Sequence, residues 1–482
     1  MHCHLTESAF NRGHKRCTGL IETKAMFCTS SCQFEGTLTE FLRVLSKFHL
    51  LGSILLCLVF NQSAQAIPAF ARQTGQSCVA CHAGGQFPEL TPYGRLFKLT
   101  GYTYGVRGNP LAAMIVGDET KTANNSDGAG GTLSPKDQQF IADFGSVFVG
   151  GKVNENVGGF AQFTYDFQAG HLGSDNFDLR YASRKVDANS DLIWGLTLHN
   201  NPTVQDVWNS TPAWGYPYLS SRTGAFGAVP AQTLLEQQLQ VAGTGAYLYL
   251  NQAIYAELSL YQTANGGFQF LSMGSKTGDP NYPLTYLSGT NPYVRLAYTH
   301  AWGAQNVMVG ALAMNANVVP LDANNFPIFG ASTHYKDTGI DAQYQYLLDP
   351  HTVTAQMRYI RERIDDDTQS LYAGPATLNS FKLKGSYVYQ AKYGASLAYT
   401  NVNGSADLLA YPSGVPNFGS AANVPNTVMW TPEIFWLPVQ NIRIGLQYNY
   451  FTRFNGAGTN YDGYGRNASD NNTIFLYLWA AI

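Results

Sequence analysis

Residues 338–347 read Thr-Gly-Ile-Asp-Ala-Gln-Tyr-Gln-Tyr-Leu. In an extended chain successive side chains point to opposite faces. Ile340, Ala342, Tyr344 and Tyr346 therefore share one face, and Asp341, Gln343 and Gln345 the other. Asp349-Pro350 then punctuates the run, as a tight turn requires. The same alternation recurs along the chain. Leu192, Trp194, Leu196 and Leu198 oppose Thr197 and His199, and Ala161, Phe163 and Tyr165 oppose Gln162, Thr164 and Asp166. Ile442, Ile444, Leu446, Tyr448 and Tyr450 oppose Arg443, Gln447 and Asn449.

A soluble sandwich also alternates, so the connections discriminate. Tight links fall at 151–156, 187–191, Asn251, 303–305, 349–350, 390–392 and 438–441. Long polar stretches lie between them, at about 118–139, 168–176, 201–236, 263–291, 318–334, 365–379, 403–426 and 454–471. Short turns on one side and long loops on the other are the habit of outer-membrane barrels. Counting from Leu111 to Ile482 gives about 16 strands. The expected fold is all-β: an antiparallel outer-membrane β-barrel over residues 110–482. An even strand count places both termini at the short-turn, periplasmic end.

Composition agrees. Charged residues are only 13% of the 482, aromatics also 13%, with 30 Tyr, 27 Phe and 48 Gly. An ordinary soluble chain carries about a quarter charged residues. A formal charge of −3 excludes the basic balance of a nucleic-acid binder.

The apolar run Leu50–Phe60 is too short for a membrane-spanning helix and matches a signal-peptide core. Arg43 and Lys47 precede it, and Ala64-Gln65-Ala66 follows as a cleavage site. Residues 1–66 are therefore expected to be a leader, with a true start later than Met1. Removing it leaves a formal charge of −5 and only Cys78 and Cys81 of the seven cysteines.

Those two carry the chemistry. Residues 78–82 are Cys-Val-Ala-Cys-His, the attachment signature for c-type haem. Two thiols at that spacing reach the two vinyl groups of one porphyrin, and His82 is the expected axial iron ligand; a disulfide between Cys78 and Cys81, or a redox dithiol, is the alternative. Met114 is a candidate sixth ligand that would raise the potential, or else a packing residue. His171, His199, His300, His334 and His351 are further candidates. Arg72, Arg95 and Lys98 are candidate contacts to the haem propionates. Residues 67–109, the expected haem segment, are near the length below which a chain needs a staple. A position plugging the barrel lumen would supply a second one. Asp365-Asp366-Asp367 in an outer loop offers hard oxygen ligands that would attract iron, or else a solvated face or a site for lipopolysaccharide-bridging calcium. Asp178, Arg180, Lys382 and Lys384 are expected to line water in the lumen and pair across it.

Ile67–Thr103, IPAFARQTGQSCVACHAGGQFPELTPYGRLFKLTGYT, resembles the N-terminal segment of the fused outer-membrane monohaem cytochrome–porins of iron-oxidising bacteria. Ala71-Arg72-Gln73-Thr74-Gly75, the haem motif, Phe87-Pro88, Tyr93-Gly94-Arg95 and Lys98 carry the likeness. The resemblance implies a ferrous-iron oxidase of the outer membrane. It would take electrons from extracellular Fe(II) through one c-type haem to a periplasmic cytochrome or other carrier, with Cys78 and Cys81 as thioether sites and His82 as ligand. Two alternatives stand beside it: the same conduit with another donor or acceptor, and a diffusion porin whose haem is structural or sensory.

Overall fold

A computed structural model of the protein describes residues 68–85, 87–215, 218–221 and 231–482. The leader at 1–66 lies outside the described residues. Sixteen strands, from β1 (Leu111–Thr122) to β16 (Thr473–Ala481), form a closed barrel in which every strand pairs antiparallel with its chain neighbours. Closure is made by β1 on β16, with Met114 opposite Ala481 and Thr122 opposite Thr473. No strand edge is left over, so every backbone polar group in the wall has a partner and the wall can face lipid.

The period-two pattern sorts as the sequence implies. On β10 (Thr333–Leu348), Asp341, Gln343 and Gln345 are buried inside while Ile340 is 50% exposed on the outer face. On β5 (Ser190–His199), Trp194 and Leu196 face out and Thr197 and His199 in. Leu258, Leu296 and Ile434 extend the outer apolar belt, and exposed Trp302, Trp430, Trp436, Tyr448 and Tyr450 supply the aromatics typical of a membrane boundary.

Two expectations change. The connection expected at 168–176 is much shorter. β3 (Val157–Asp166) continues through residues 167–170 into β4 (His171–Asp187), because His171–Ser174 pair with β3 despite their polarity. Nor do the described residues of the connection 200–240 stay outside. They fold into the lumen, where Val204, Val207 and Trp208 are at most 1% exposed. Asp178, Arg180 and Lys384 are buried against protein instead of lining water, and Lys382 is mostly covered. Asp178 and Arg180 pair with each other along β4 at 2.8 Å, not across the lumen, under Tyr102 and Gln205, and Lys384 meets Glu89. The wall charges find partners on the inserted chain, since a charge taken out of water must be paired. Lys382 and Arg358 meet Glu236 at 3.0 and 2.9 Å, and Arg295 meets Asp206 at 3.4 Å and Asp341 at 2.8 Å.

Candidate functional site

Residues 68–103 enter the lumen at the end where both barrel termini lie. Three short helices build the segment: α1 (Pro68–Thr74), α2 (Cys78–Cys81) and α3 (Pro92–Leu99). Gly75 ends α1 in the left-handed region at φ 66°, its N–H donating to the Ala71 carbonyl at 2.8 Å, the usual exit for a helix. After α2 the chain turns at Ala83–Gly85 and returns antiparallel, bridging His82 with Leu90. Thr91 caps α3 by accepting from Gly94 N–H at 3.2 Å, with Pro92 at the first helical position. Gly94 is obligatory for close approach, because a Cβ there would stand 2.2 Å from the Cys81 carbonyl oxygen.

The barrel wall holds this segment by hydrogen bonds that each side supplies to the other. Arg95 donates to the Asn306 side chain at 2.9 Å and to Gln345 at 3.1 Å, and Gln345 donates to the Leu90 carbonyl. Tyr102 donates to Asp178 at 2.6 Å, Lys384 pairs with Glu89 at 2.8 Å, and Tyr247 donates to the Leu99 carbonyl. The inserted connection adds Asn209, which donates to the Pro88 carbonyl.

Between segment, wall and inserted connection lies a cavity lined by Cys78, Cys81 and His82. Phe70, Phe97 and Tyr102 line it from the segment, Phe148 and Phe160 from the wall, and Trp214 from the inserted connection. Its enclosed volume is about 80 Å³. The space is a narrow, aromatic slot. Cys78 and Cys81 are not joined in a disulfide. Burial, against a smaller opposing effect of Glu89, pulls His82 down to about 4, so its imidazole is neutral, the form that ligates iron. Burial, and secondarily Cys78, pushes the Cys81 thiol up to about 11. A flat apolar group bonded through two thiols beside one neutral imidazole fits this donor set and its aromatic lining.

The other sequence candidates are placed as follows. Lys98 lines the slot and lies over the Trp214 ring at 4.5 Å. It donates to the Val204 and Asp206 carbonyls at 2.9 and 2.6 Å. Arg95 points away from the slot into its wall contacts, and Arg72 is exposed and bonded to the Asn109 carbonyl. Met114 faces the lumen in the same packed cluster as Cys78 but is held against Trp479 and does not line the slot. His199 is engaged by Tyr261 and Thr197, and His171 stacks on Tyr282. His334 bonds Asn317 and Asp367, His351 bonds Tyr387, and His300 stacks on Trp302. Among the described residues, His82 is the one His or Met that lines the slot. Asp366 caps its own loop through the backbone N–H groups of Ser370 and Leu371. The aromatic lining escaped sequence reading because its members come from distant stretches. Trp214 in a nominally polar connection was the available signal.

Gln162 lines both the slot and a second chamber on its long-loop side. That chamber, about 460 Å³, is lined by Asp143, Asp166 and Asp175 and by Tyr218. Thr164 joins the two spaces, donating to Asp175 at 3.0 Å and accepting from Gln162 at 3.2 Å. Tyr218 packs edge-on to Phe87, which in turn faces His82 with ring centroids 5.6 Å apart.

No protein-family model matches the chain, and no curated protein matches it. Among solved structures it is similar to Salmonella typhi OmpF, at 11% identity and a TM-score of 0.43, over 77% of this chain and 97% of that one. The outer membrane channel DcaP of Acinetobacter baumannii is similar at 14% identity and 0.43, over 77% and 96%. An anion-selective porin from Comamonas acidovorans is similar at 10% and 0.43, over 77% and 98%.

Proposed function

We propose that this chain is an outer-membrane electron conduit. One c-type haem is held covalently by Cys78 and Cys81 with His82 as ligand, the donor is extracellular ferrous iron, and the acceptor is a periplasmic electron carrier. The observation that carries the reading is the Cys78–His82 turn opening onto an aromatic slot inside the barrel. When bound, the haem supplies a one-electron Fe(III)/Fe(II) couple. The chain's own residues position it. Phe70, Phe97, Tyr102, Phe148, Phe160 and Trp214 exclude water, and Gly94 lets α3 close over Cys81. The chamber beyond Gln162 supports the iron donor, since carboxylate oxygens suit a hard divalent cation. At about 30 Å³ per water, it has room for a hydrated ion. On the opposite side Gln76, Ser77 and Val79 are exposed, which leaves the Cys78 turn accessible to a soluble acceptor.

Two tests separate this from the alternatives. In planar bilayers the protein is expected to show no open-channel steps of porin size, because the described residues of the haem segment and of the connection 200–240 lie in the lumen; a stable open pore would favour the diffusion porin. In anaerobic stopped flow, Fe(II) is expected to reduce the oxidised haem of the detergent-solubilised protein rapidly. Reduction by dithionite but not by iron would reject the iron donor and keep a conduit with another partner.

Lys98 should set the potential. Burial, and then Arg180, pull its ammonium down to about 7, against Asp178, Asp206 and Glu257. A positive charge beside the slot favours the ferrous state. One charge about 10 Å away at an effective dielectric near 20 is worth about 1.7 kcal/mol, or about 70 mV for a one-electron couple. Lys98→Met should lower the midpoint potential by tens of millivolts. In the wild type the midpoint should fall as pH rises through about 7 and the ammonium loses its proton. Spectroelectrochemical titration from pH 6 to 8 checks both, and the variant should lack that step.

A further inference from the structure

The outer face of β10 and β11 (His351–Asp366) holds like charges side by side. In their register Lys336 stands directly opposite Arg363, and Arg361 is opposite Thr338, one alternate position further from the loops. All three cationic side chains are exposed. They share the outward parity of Ile340, whereas Asp337 and Glu362 between them point inward and are buried. Directly opposed residues have Cβ atoms about 5 Å apart and diagonal ones about 7 Å, and like charges so placed are destabilising. None of the three side chains makes an ion pair or hydrogen bond with a described residue. Three unpaired cations converge where the sheet geometry itself disfavours them.

The surroundings point to what relieves them. Lys336 and Arg363, with His334, Asn315, Asn317 and Thr377, line an open groove of about 650 Å³. It lies at the long-loop end of the strands. His334 is tied to Asp367 at 3.2 Å, and Asp365, the carboxylate of the groove, stands opposite His334, one alternate position nearer the loops than Arg363. On the same outer face, away from the loops, the wall turns apolar at Ile340, Tyr359, Phe381 and Leu383, with Leu383 44% exposed. The cations therefore sit where hydrocarbon gives way to headgroups.

We propose that Lys336, Arg361 and Arg363 form a binding site for the phosphate of an anionic lipid headgroup in the outer leaflet. Arg presents a planar fork to phosphate oxygens, and Lys adds a mobile point charge. The acyl chains of the same molecule would lie on the apolar face that begins at Ile340, a contact that a free phosphate cannot make. This site is independent of the haem and of the electron donor.

Native mass spectrometry of the full-length protein in non-ionic detergent tests the proposal, with bisphosphorylated lipid A as probe. Each cation near a charged lipid surface contributes about fivefold to binding. The triple variant K336Q/R361Q/R363Q should bind on the order of a hundredfold more weakly, and Arg363→Gln alone about fivefold. Dephosphorylated lipid A should bind the wild type no better than the phosphorylated probe binds the triple variant, and millimolar inorganic phosphate should not displace the probe. The heat-dependent gel shift of a closed barrel reports folding of each variant. Unchanged affinity in a folded variant overturns the site, and equal binding of the dephosphorylated lipid overturns the phosphate contact. Displacement by inorganic phosphate would reassign the cations to a soluble anion and overturn the lipid.

Discussion

Replacing Cys78 and Cys81 together by Ser is expected to abolish covalent haem while leaving a closed barrel. The denatured variant should lose haem-dependent peroxidase staining, its intact mass should equal the polypeptide alone, and the ferrous-iron reaction should vanish. The expectation follows from where the two thiols sit. Both line the slot beside His82, and they are the only cysteines of the described residues. The barrel should persist because sixteen strand pairings close it without help from α2. The segment also keeps its wall contacts through Arg95, Glu89 and Tyr102. Single replacements should leave haem attached by one bond and still stainable. Heat-dependent gel mobility separates loss of haem from loss of fold, and a variant that still stains after denaturation would contradict the assignment.

Arg295→Leu should open the pore. Arg295 is fully buried and bonds Asp341 through both terminal nitrogens, at 3.0 and 2.8 Å. It also reaches Asp206 on the inserted connection at 3.4 Å. Ser210 of that connection donates to Asp341 as well. Removing the guanidinium leaves two carboxylates buried together without their shared cation, and breaking a buried pair in this way costs about 3–5 kcal/mol. Hydrating both carboxylates by withdrawing residues 200–215 relieves that cost. Planar-bilayer recording should then show conductance absent from the wild type, and a protease should cut the connection faster. Arg295→Lys should restore much of the closed state. A silent, protease-resistant Arg295→Leu protein would mean that the connection is held by its other contacts, such as Glu236 with Arg358 and Lys382.

The wall of this molecule was legible because lipid on one side and polar lumen on the other impose a strict period of two. Asp341, Gln343 and Gln345 had to share a face, and that face had to be inside. Turn residues marked the short connections, and the spacing of Cys78, Cys81 and His82 made the candidate site visible without any structure. The contents of the lumen were harder to read. Residues 201–215 are rich in Asn, Thr, Asp and Ser, which read as a solvated loop. In the barrel those same groups pair with buried charges: Asp206 with Arg295 of the wall, and Asn209 with Lys98 of α3. Polarity alone cannot distinguish a chain that meets water from one that meets buried charges. Asp178 and Arg180 illustrate the same ambiguity. They were expected to pair across the lumen, but they pair with each other along one strand, and nothing local announced that Tyr102 and Gln205 would cover them. Similarly, nothing local to Phe148, Phe160 or Trp214 marks them as walls of one slot.

The measurement that tests the account most directly uses vesicles. The protein would be reconstituted in liposomes with a trapped oxidised c-type cytochrome as acceptor, and Fe(II) added outside under anaerobic conditions. The trapped acceptor is expected to become reduced at a rate proportional to the protein inserted, while vesicles holding the Cys78→Ser/Cys81→Ser variant stay at the protein-free rate. Reduction that is equal with and without the two cysteines, or none at all with the haem-loaded protein, would contradict it.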